Sequence, residues 1–363
     1  MMPDMKPLIS IDARMIAHSG IGTYLRNILP YLAESDTMSL ELLGDPSLFE
    51  RLNLSRLNFN IRPVSSPIYS LKEHYEIPRA MSKSSKLLWV PHFNIPWLYK
   101  GRLAVTIHDI LPMEQEFSSP LKRLYTLLFL KKIESQAEVV FTDSQFTADR
   151  LKAYHLLQGE KKLVITPLGI NSAWLNFQPG PRPHTNPYLL YVGNIKPHKN
   201  LKTLLKAHSL LSNAPDLILV GKKSGFIQGD QETISLATNN PKVHFTGEIP
   251  ISDETLSQYY RHAEAMIFPS LYEGFGLPPL EAMASGCPCI VSDIAVLKES
   301  YHDSACFYSP PLCEKALAQK IQAVLENPDL RQNLRQNGLQ KAISSTWEKA
   351  AQMISQEFLR VCS

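Results

Sequence analysis

The chain has 363 residues and carries 37 Lys and Arg against 34 Asp and Glu, a net charge of +3. At roughly 100–200 residues per domain, this length calls for two domains. So mild a charge excludes a protein built around nucleic acid.

In chain order, Leu8 to Ile11 reads as a strand. Gly22 to Leu32 reads as a helix, with Ile21, Leu25, Ile28, Leu29 and Leu32 on one stripe. Further strands are predicted at Leu87–Val90, Ala104–Ile107, Val139–Phe141 and Leu163–Thr166, with helices at Leu121–Ser135 and Gln145–His155. Strands separated by helical patterns specify parallel α/β units. Phe177 to Pro187, with Pro179, Gly180, Pro181, Pro183 and Pro187, breaks the pattern and is the best linker in the sequence.

The α/β pattern then restarts. Strands are predicted at Leu189–Val192, Leu217–Val220, Val243–Phe245, Ala265–Phe268 and Cys289–Val291. Helical pieces fall at Leu201–Leu211, Leu256–Ala263, Leu280–Ala284, Leu312–Leu325, Leu330–Ala342 and Trp347–Leu359. Two α/β domains imply a cleft, and open parallel sheets bind ligands beyond the carboxyl ends of their strands.

The segment from Phe268 to Glu281 leaves a strand and enters a helix. Gly274 and Gly276 allow a tight turn with uncovered amides, and such amides beside a helix start favour anions. Glu273 and Glu281 each offer a carboxylate that can accept two hydroxyl hydrogen bonds, as adjacent hydroxyls on a sugar ring require. A second strand-to-helix segment, Tyr191 to Asn200, supplies Gly193, Lys196, His198 and Lys199. Lys199 is the cation expected to meet a diphosphate that gains charge as it leaves. The Gly-rich order of a P-loop is absent.

In the first half, Asp12 to Tyr24 carries Gly20 and Gly22 at a helix start, suited to a phosphate. Leu25 occupies the third glycine position of a dinucleotide fingerprint and removes that reading. Arg14 either pairs with Asp12 to fix the loop or reaches a ligand. His108, at the end of the Val105–Ile107 strand, faces the expected crevice, where an oriented imidazole needs a partner. The weaker strand-end candidates are Pro91 to Asn94 and Thr142 to Ser144.

The five cysteines, Cys287, Cys289, Cys306, Cys313 and Cys362, lack zinc-knuckle spacing, and their odd number fits a reducing compartment. Met1 to Pro7 lacks a signal-peptide core. No run reaches the roughly 18 uncharged apolar residues of a membrane span. The expected location is the cytoplasm. Leu121 to Leu130, with Lys122, Arg123, Lys131 and Lys132 around it, reads either as a helix resting on anionic lipid or as a buried helix with charged ends.

These segments together resemble the large glycosyltransferase family numbered four, of the GT-B fold, over nearly the whole chain. The specific part is the pair Glu273 and Glu281 around Gly274 to Pro278. Within the family the chain is similar to bacterial transferases that build lipopolysaccharide O-chains and other surface polysaccharides, many of them mannosyltransferases. The resemblance implies two Rossmann-like α/β domains, with an acceptor domain at 1–178 and a nucleotide-sugar domain at 179–343. It also implies a last helix at 344–363 returning to the first domain. Transfer is expected to retain the anomeric configuration and need no metal, with GDP-mannose the expected donor and a saccharide or lipid-linked oligosaccharide the acceptor. The alternatives are a UDP-sugar donor, a phosphorylase or epimerase on the same fold, and a nucleotide-sugar-binding protein with a decayed site. By resemblance, Glu273 and His108 contact the donor sugar, Glu281 the ribose and Lys199 the diphosphate. Gly20, Gly22, Gly193, His198, Gly274, Phe275, Gly276 and Leu277 complete the donor site. Many relatives carry arginine where this chain has His198 or Asn194, which leaves fewer fixed cations here. The nucleobase loop is expected at Gly247–Pro250 and Ser252–Leu256. Peripheral contact with the cytoplasmic face of an anionic membrane is a further expectation, and the oligomeric state stays open.

Overall fold

The computed structural model describes residues 6–158, 163–221, 231–246 and 251–363. The chain divides into two compact units, Met1–Leu168 with Trp347–Ser363, and Gly169–Thr346. The Gly247–Pro250 part of the expected nucleobase loop lies outside the described residues, and Ser252 caps the helix that follows it.

The first unit holds β1 (Leu8–Asp12), α1 (Ile21–Glu34), β2 (Ser39–Gly44), α2 (Pro46–Arg51), β3 (Phe59–Pro63) and α3 (Glu73–Ala80). It continues with β4 (Ser85–Val90), β5 (Leu103–Ile107), α4 (Pro120–Gln136), β6 (Ala137–Thr142), α5 (Gln145–Ala153) and β7 (Leu163–Ile165). Its sheet is seven-stranded in the order β3-β2-β1-β4-β5-β6-β7, all parallel. The order reverses between β1 and β4, where a doubly wound sheet opens a crevice. Leu103 to Ile107 of β5 are buried throughout, as a strand covered on both faces requires.

The second unit holds α6 (Ser172–Asn176), β8 (Tyr188–Val192), α7 (Leu201–Ser209), β9 (Asp216–Val220), α8 (Gln231–Thr238), β10 (Val243–Phe245) and α9 (Asp253–His262). Next come β11 (Ala265–Phe268), α10 (Leu277–Ala284), β12 (Cys289–Ser292), α11 (Ala295–Tyr301), β13 (Cys306–Tyr308), α12 (Glu314–Glu326) and α13 (Pro328–Ser344). Its parallel sheet runs β10-β9-β8-β11-β12-β13 and reverses between β8 and β11.

The last helix, α14 (Trp347–Cys362), belongs to the first unit. Its apolar stripe of Trp347, Ala350, Ala351, Ile354 and Phe358 is buried against α1, β4 and β6. Phe358 meets Trp89 at 5.4 Å and Phe141 at 5.9 Å between ring centroids.

The two compact units divide between Leu168 and Gly169 and between Thr346 and Trp347, whereas the sequence places the divisions at 178/179 and 343/344. The Pro-rich stretch is strapped to α9 of the second unit: Gln258 holds Gly180 N and Gln178 O at 2.7 and 3.0 Å, and Arg261 donates to Phe177 O at 3.0 Å. Prolines there deny regular secondary structure. In α4, Leu121, Leu124 and Leu128 are exposed, so it is not a wholly buried helix. Among the described residues no helix is long and apolar enough to cross a membrane.

Candidate active site

In the second unit the two glycine-bearing segments leave β8 and β11, the neighbours at the reversal point. Lys199 closes a short turn after β8, and Glu273 lies in the loop after β11. Their side chains meet, with Lys199 Nζ 2.6 Å from Glu273 Oε1, and both are largely shielded. The Lys199 ammonium also sits 5.4 Å from the Phe268 ring centre. Backbone contact fixes the approach of the two loops, since Leu271 N donates to His198 O at 2.7 Å. Asn200 adopts a left-handed conformation and donates through Nδ2 to Pro269 O and Pro311 O, each at 3.0 Å. The cation and the carboxylate are therefore held by a clamped pair of loops.

Gly276 has φ 97° and caps the start of α10, and a side chain there would press on Leu297 and Phe268. Gly193 bonds through its amide to Val220 O at 2.9 Å, and a Cβ on neighbouring Gly221 would lie 2.2 Å from Gly193 O. Phe275 packs edge-on against Tyr301 and is buried, so only its backbone is available to a ligand. His198 is likewise buried, whereas Lys196 is exposed. Gly274 and Leu277 are partly buried where the loop enters α10.

Glu281 projects from α10 and accepts a hydrogen bond from Tyr260 Oη at 3.2 Å. Burial raises its carboxyl pKa, the charge of Asp253 raises it further, and the Tyr260 bond opposes them; the result is about 7. Its position on the sequence was legible, but its tyrosine partner from α9 was not.

In the first unit, His108 stands at the end of β5 and its Nδ1 lies 2.7 Å from Asp143 Oδ2, at the end of β6. Burial disfavours the imidazolium, but the Asp143 carboxylate outweighs it and raises the histidine pKa. His108 Nε2 is buried and makes no hydrogen bond among the described residues. The neighbouring Asp109 instead accepts Leu111 N at 2.8 Å. Asp143, a weaker candidate in the sequence, is thus the orienting group. Its strand-end position was the available signal.

Gly20 and Gly22 differ. Gly20 is exposed at φ 77° with open space where a side chain would be. Gly22 is buried: a Cβ there would lie 2.5 Å from Ile16 O and 2.8 Å from Met15 O. Gly22 lets the loop fold onto α1, and Gly20 is the open position. Arg14 pairs with Asp12 at 2.7 Å and also with Glu73 at 2.8 Å, with all three side chains buried. Its guanidinium fixes the loop. Burial works against the Asp12 charge, but the Arg14 bond and charge outweigh it and hold the carboxyl well below the usual range. Glu73 carried no sequence signal, since acidic residues at helix starts are common.

Both units therefore place their polar groups at the carboxyl ends of parallel strands, the arrangement of a GT-B enzyme. The model of the glycosyl transferases group 1 family matches residues 172–341. The chain is 30% identical over 271 residues to the O-antigen chain mannosyltransferase RfbU of Salmonella typhimurium, covering 74% of this chain and 73% of that protein. It is 27% identical to the O-antigen chain mannosyltransferase B of Escherichia coli, covering 71% and 70%. Among solved structures it is similar to sucrose-phosphate synthase from Thermosynechococcus elongatus, with a TM-score of 0.79, 21% identity and 98% of each chain covered. Anabaena HepE in complex with UDP and glucose gives a TM-score of 0.75 at 16% identity, covering 98% of this chain and 100% of that one. The chain belongs to the glycosyl transferases group 1 family, and it is a glycosyltransferase.

Proposed function

We propose that the enzyme transfers mannose from GDP-mannose to a saccharide or lipid-linked saccharide of a surface polysaccharide, retaining the anomeric configuration. The Lys199–Glu273 pair carries this reading, because it sets a cation and a hydroxyl-binding carboxylate side by side at a helix start. The names of the relatives, O-antigen mannosyltransferases, support the sugar and the class of acceptor.

In this reaction the bond from the sugar C1 to the diphosphate oxygen breaks and an acceptor hydroxyl oxygen bonds C1 on the same face. The acceptor proton passes to the departing phosphate. Lys199 neutralises the charge that grows on the diphosphate, helped by the amides near Phe275 and Gly276. Glu273 holds sugar hydroxyls, Glu281 holds the ribose, and His108, oriented by Asp143, donates to the donor sugar. No protein nucleophile or metal is assigned a step. A panel of GDP-, UDP-, ADP- and dTDP-sugars, read by free nucleotide released and by binding, tests the reading. Turnover of GDP-mannose above the others is expected. Preference for a UDP-sugar replaces the donor, and binding of none of them sinks the proposal.

We also propose that the enzyme works in the cytoplasm, on the inner membrane face. Leu121, Leu124 and Leu128 of α4 are exposed, as are Trp97 and Tyr69, whose rings meet Phe129 and Tyr125 of the same helix at 5.2 and 6.4 Å. Lys122, Arg123, Lys131 and Lys132 flank it, and such a surface fits an anionic leaflet. Sedimentation with anionic vesicles is expected to carry down the enzyme but not its Leu121→Glu, Leu128→Glu form. Equal recovery in the supernatant with and without vesicles counts against it.

A further inference from the structure

We infer that His184, Asp216 and His244 form a site for a divalent transition metal, with zinc the expected ion. The site lies on the edge of the second unit's sheet away from Lys199 and Glu273. Asp216 begins β9, His244 lies in β10 and His184 precedes β8, whereas Lys199 follows the far end of β8. Nothing in the proposed transfer uses these three residues.

The three groups converge on one point. His184 Nε2 is 2.6 Å and His244 Nε2 3.2 Å from the same oxygen, Asp216 Oδ2. All three candidate ligand atoms lie within 4.8 Å of one another, and the imidazole centres are 5.0 Å apart. Zinc held at about 2.0–2.1 Å in a tetrahedron separates its ligand atoms by about 3.3 Å. The His244–Asp216 distance already suits this. His184, partly exposed, has to retreat by about 0.7 Å, a small side-chain rotation in the same zinc geometry.

A hydrogen-bond network alone leaves one group unexplained. His184 bonds to Asp216 Oδ2, and Asn186 Nδ2 donates to the same oxygen at 3.0 Å. His244 Nε2 is shielded from solvent and makes no hydrogen bond among the described residues. A metal ion would use that nitrogen, the other imidazole and the carboxylate together. Two imidazoles and one carboxylate select zinc or a neighbouring transition ion over magnesium or calcium. The ion would tie the Pro-rich strap, β9 and β10 together. Its role is therefore structural, and the inference does not rest on the donor or acceptor.

The full chain, freed of metal with a chelator, is titrated with Zn2+ and with Co2+ alone. One equivalent of Zn2+ is expected to bind and raise the unfolding midpoint, and Co2+ to give the visible absorption of a low-symmetry site. His244→Gln, at a half-exposed position, is expected to keep the circular dichroism of the parent and lose about tenfold or more in Zn2+ affinity. His184→Gln is expected to behave likewise, while GDP-mannose binding is unchanged in both. Failure of the parent to bind either ion, or undiminished binding in both variants, overturns the site.

Discussion

His108 Nδ1 lies 2.7 Å from Asp143 Oδ2, so the imidazole at the end of one strand is oriented by a carboxylate at the end of the next. The carboxylate raises the histidine pKa against the effect of burial. A histidine raised in the folded state adds stability that is fully present below its unfolded value and is lost as pH rises through the folded one. In Asp143→Asn the main causes that raise the pKa are gone, and burial, which lowers it, is opposed only by the smaller effects of Asp109 and the Pro91 backbone. The difference in unfolding free energy between parent and variant should therefore shrink as pH climbs from about 5 to about 9. Denaturant unfolding across that range reads it. A difference that grows with pH contradicts the pairing. Activity should fall as well, because the ring loses its fixed tautomer.

Glu281 titrates at about 7 because burial and Asp253 disfavour its charge. For a carboxyl raised in the folded state, stability is full below the unfolded value near 4.5 and falls as pH rises through about 7. Glu281→Gln removes that loss while keeping a partner for Tyr260. The variant should be more stable than the parent by about 2 kcal/mol above pH ~8, the full linkage of roughly 3 kcal/mol being reduced by solvent screening. The two should converge below pH ~4.5. The same change should raise the donor KM, since a ribose diol loses its anionic acceptor. Parent KM should fall as pH rises through the titration. A variant with parental stability at high pH refutes the buried charge.

The sequence exposed most of the strands because parallel strands covered on both faces read as apolar runs. It hid β2, where Glu41 interrupts the run. That carboxylate is fully buried, accepting from Ser10 Oγ at 2.7 Å and Ser82 N at 3.0 Å, so a charged residue sits inside a strand paired on both sides. β3 was hidden for another reason: it is a short edge strand in which only Phe59 and Ile61 alternate with exposed Asn60 and Arg62, too few residues to stand out as a pattern. At the candidate site, Glu273 and Lys199 were legible because each lies in a loop or turn after a strand, and Glu281 because it lies in the helix that the glycine-bearing loop enters. Their partners were not. Tyr260 comes from α9 and Asp143 from the turn after β6, and only the fold brings them to Glu281 and His108. Proline content marks irregular backbone, whether free or strapped down, and so does not by itself place a domain boundary.

Lys199 faces Glu273 at 2.6 Å, so its removal has two consequences. The diphosphate loses a cation, and the carboxylate loses the group that neutralises it. Lys199→Ala should lower kcat/KM for GDP-mannose by about 10²–10³, the size seen when one charge-stabilising group is deleted. The double variant Lys199→Ala, Glu273→Gln should bind free GDP better than Lys199→Ala alone, because the uncompensated negative charge is gone. Catalysis should not return. Steady-state kinetics and calorimetry with GDP separate these outcomes, and parental kcat/KM in Lys199→Ala removes the lysine from the site.

Gly20 and Gly22 give the sharpest contrast between a backbone needed for folding and one open to a ligand. Gly22→Ala puts a methyl 2.5 Å from Ile16 O, and both chains there are backbone and cannot swing aside. Its cost should be about 1–3 kcal/mol, with a lower unfolding midpoint. Gly20→Ala meets no neighbour but must hold φ 77° with ψ -92°, a sparsely populated region that costs an L-residue about 1–3 kcal/mol. If Gly20 faces the donor, the new methyl also intrudes on the phosphates. Donor affinity should then fall more in Gly20→Ala than in Gly22→Ala when both are assayed well below their unfolding midpoints. Equal donor affinity in the two variants, with only the stabilities differing, places the donor away from this loop.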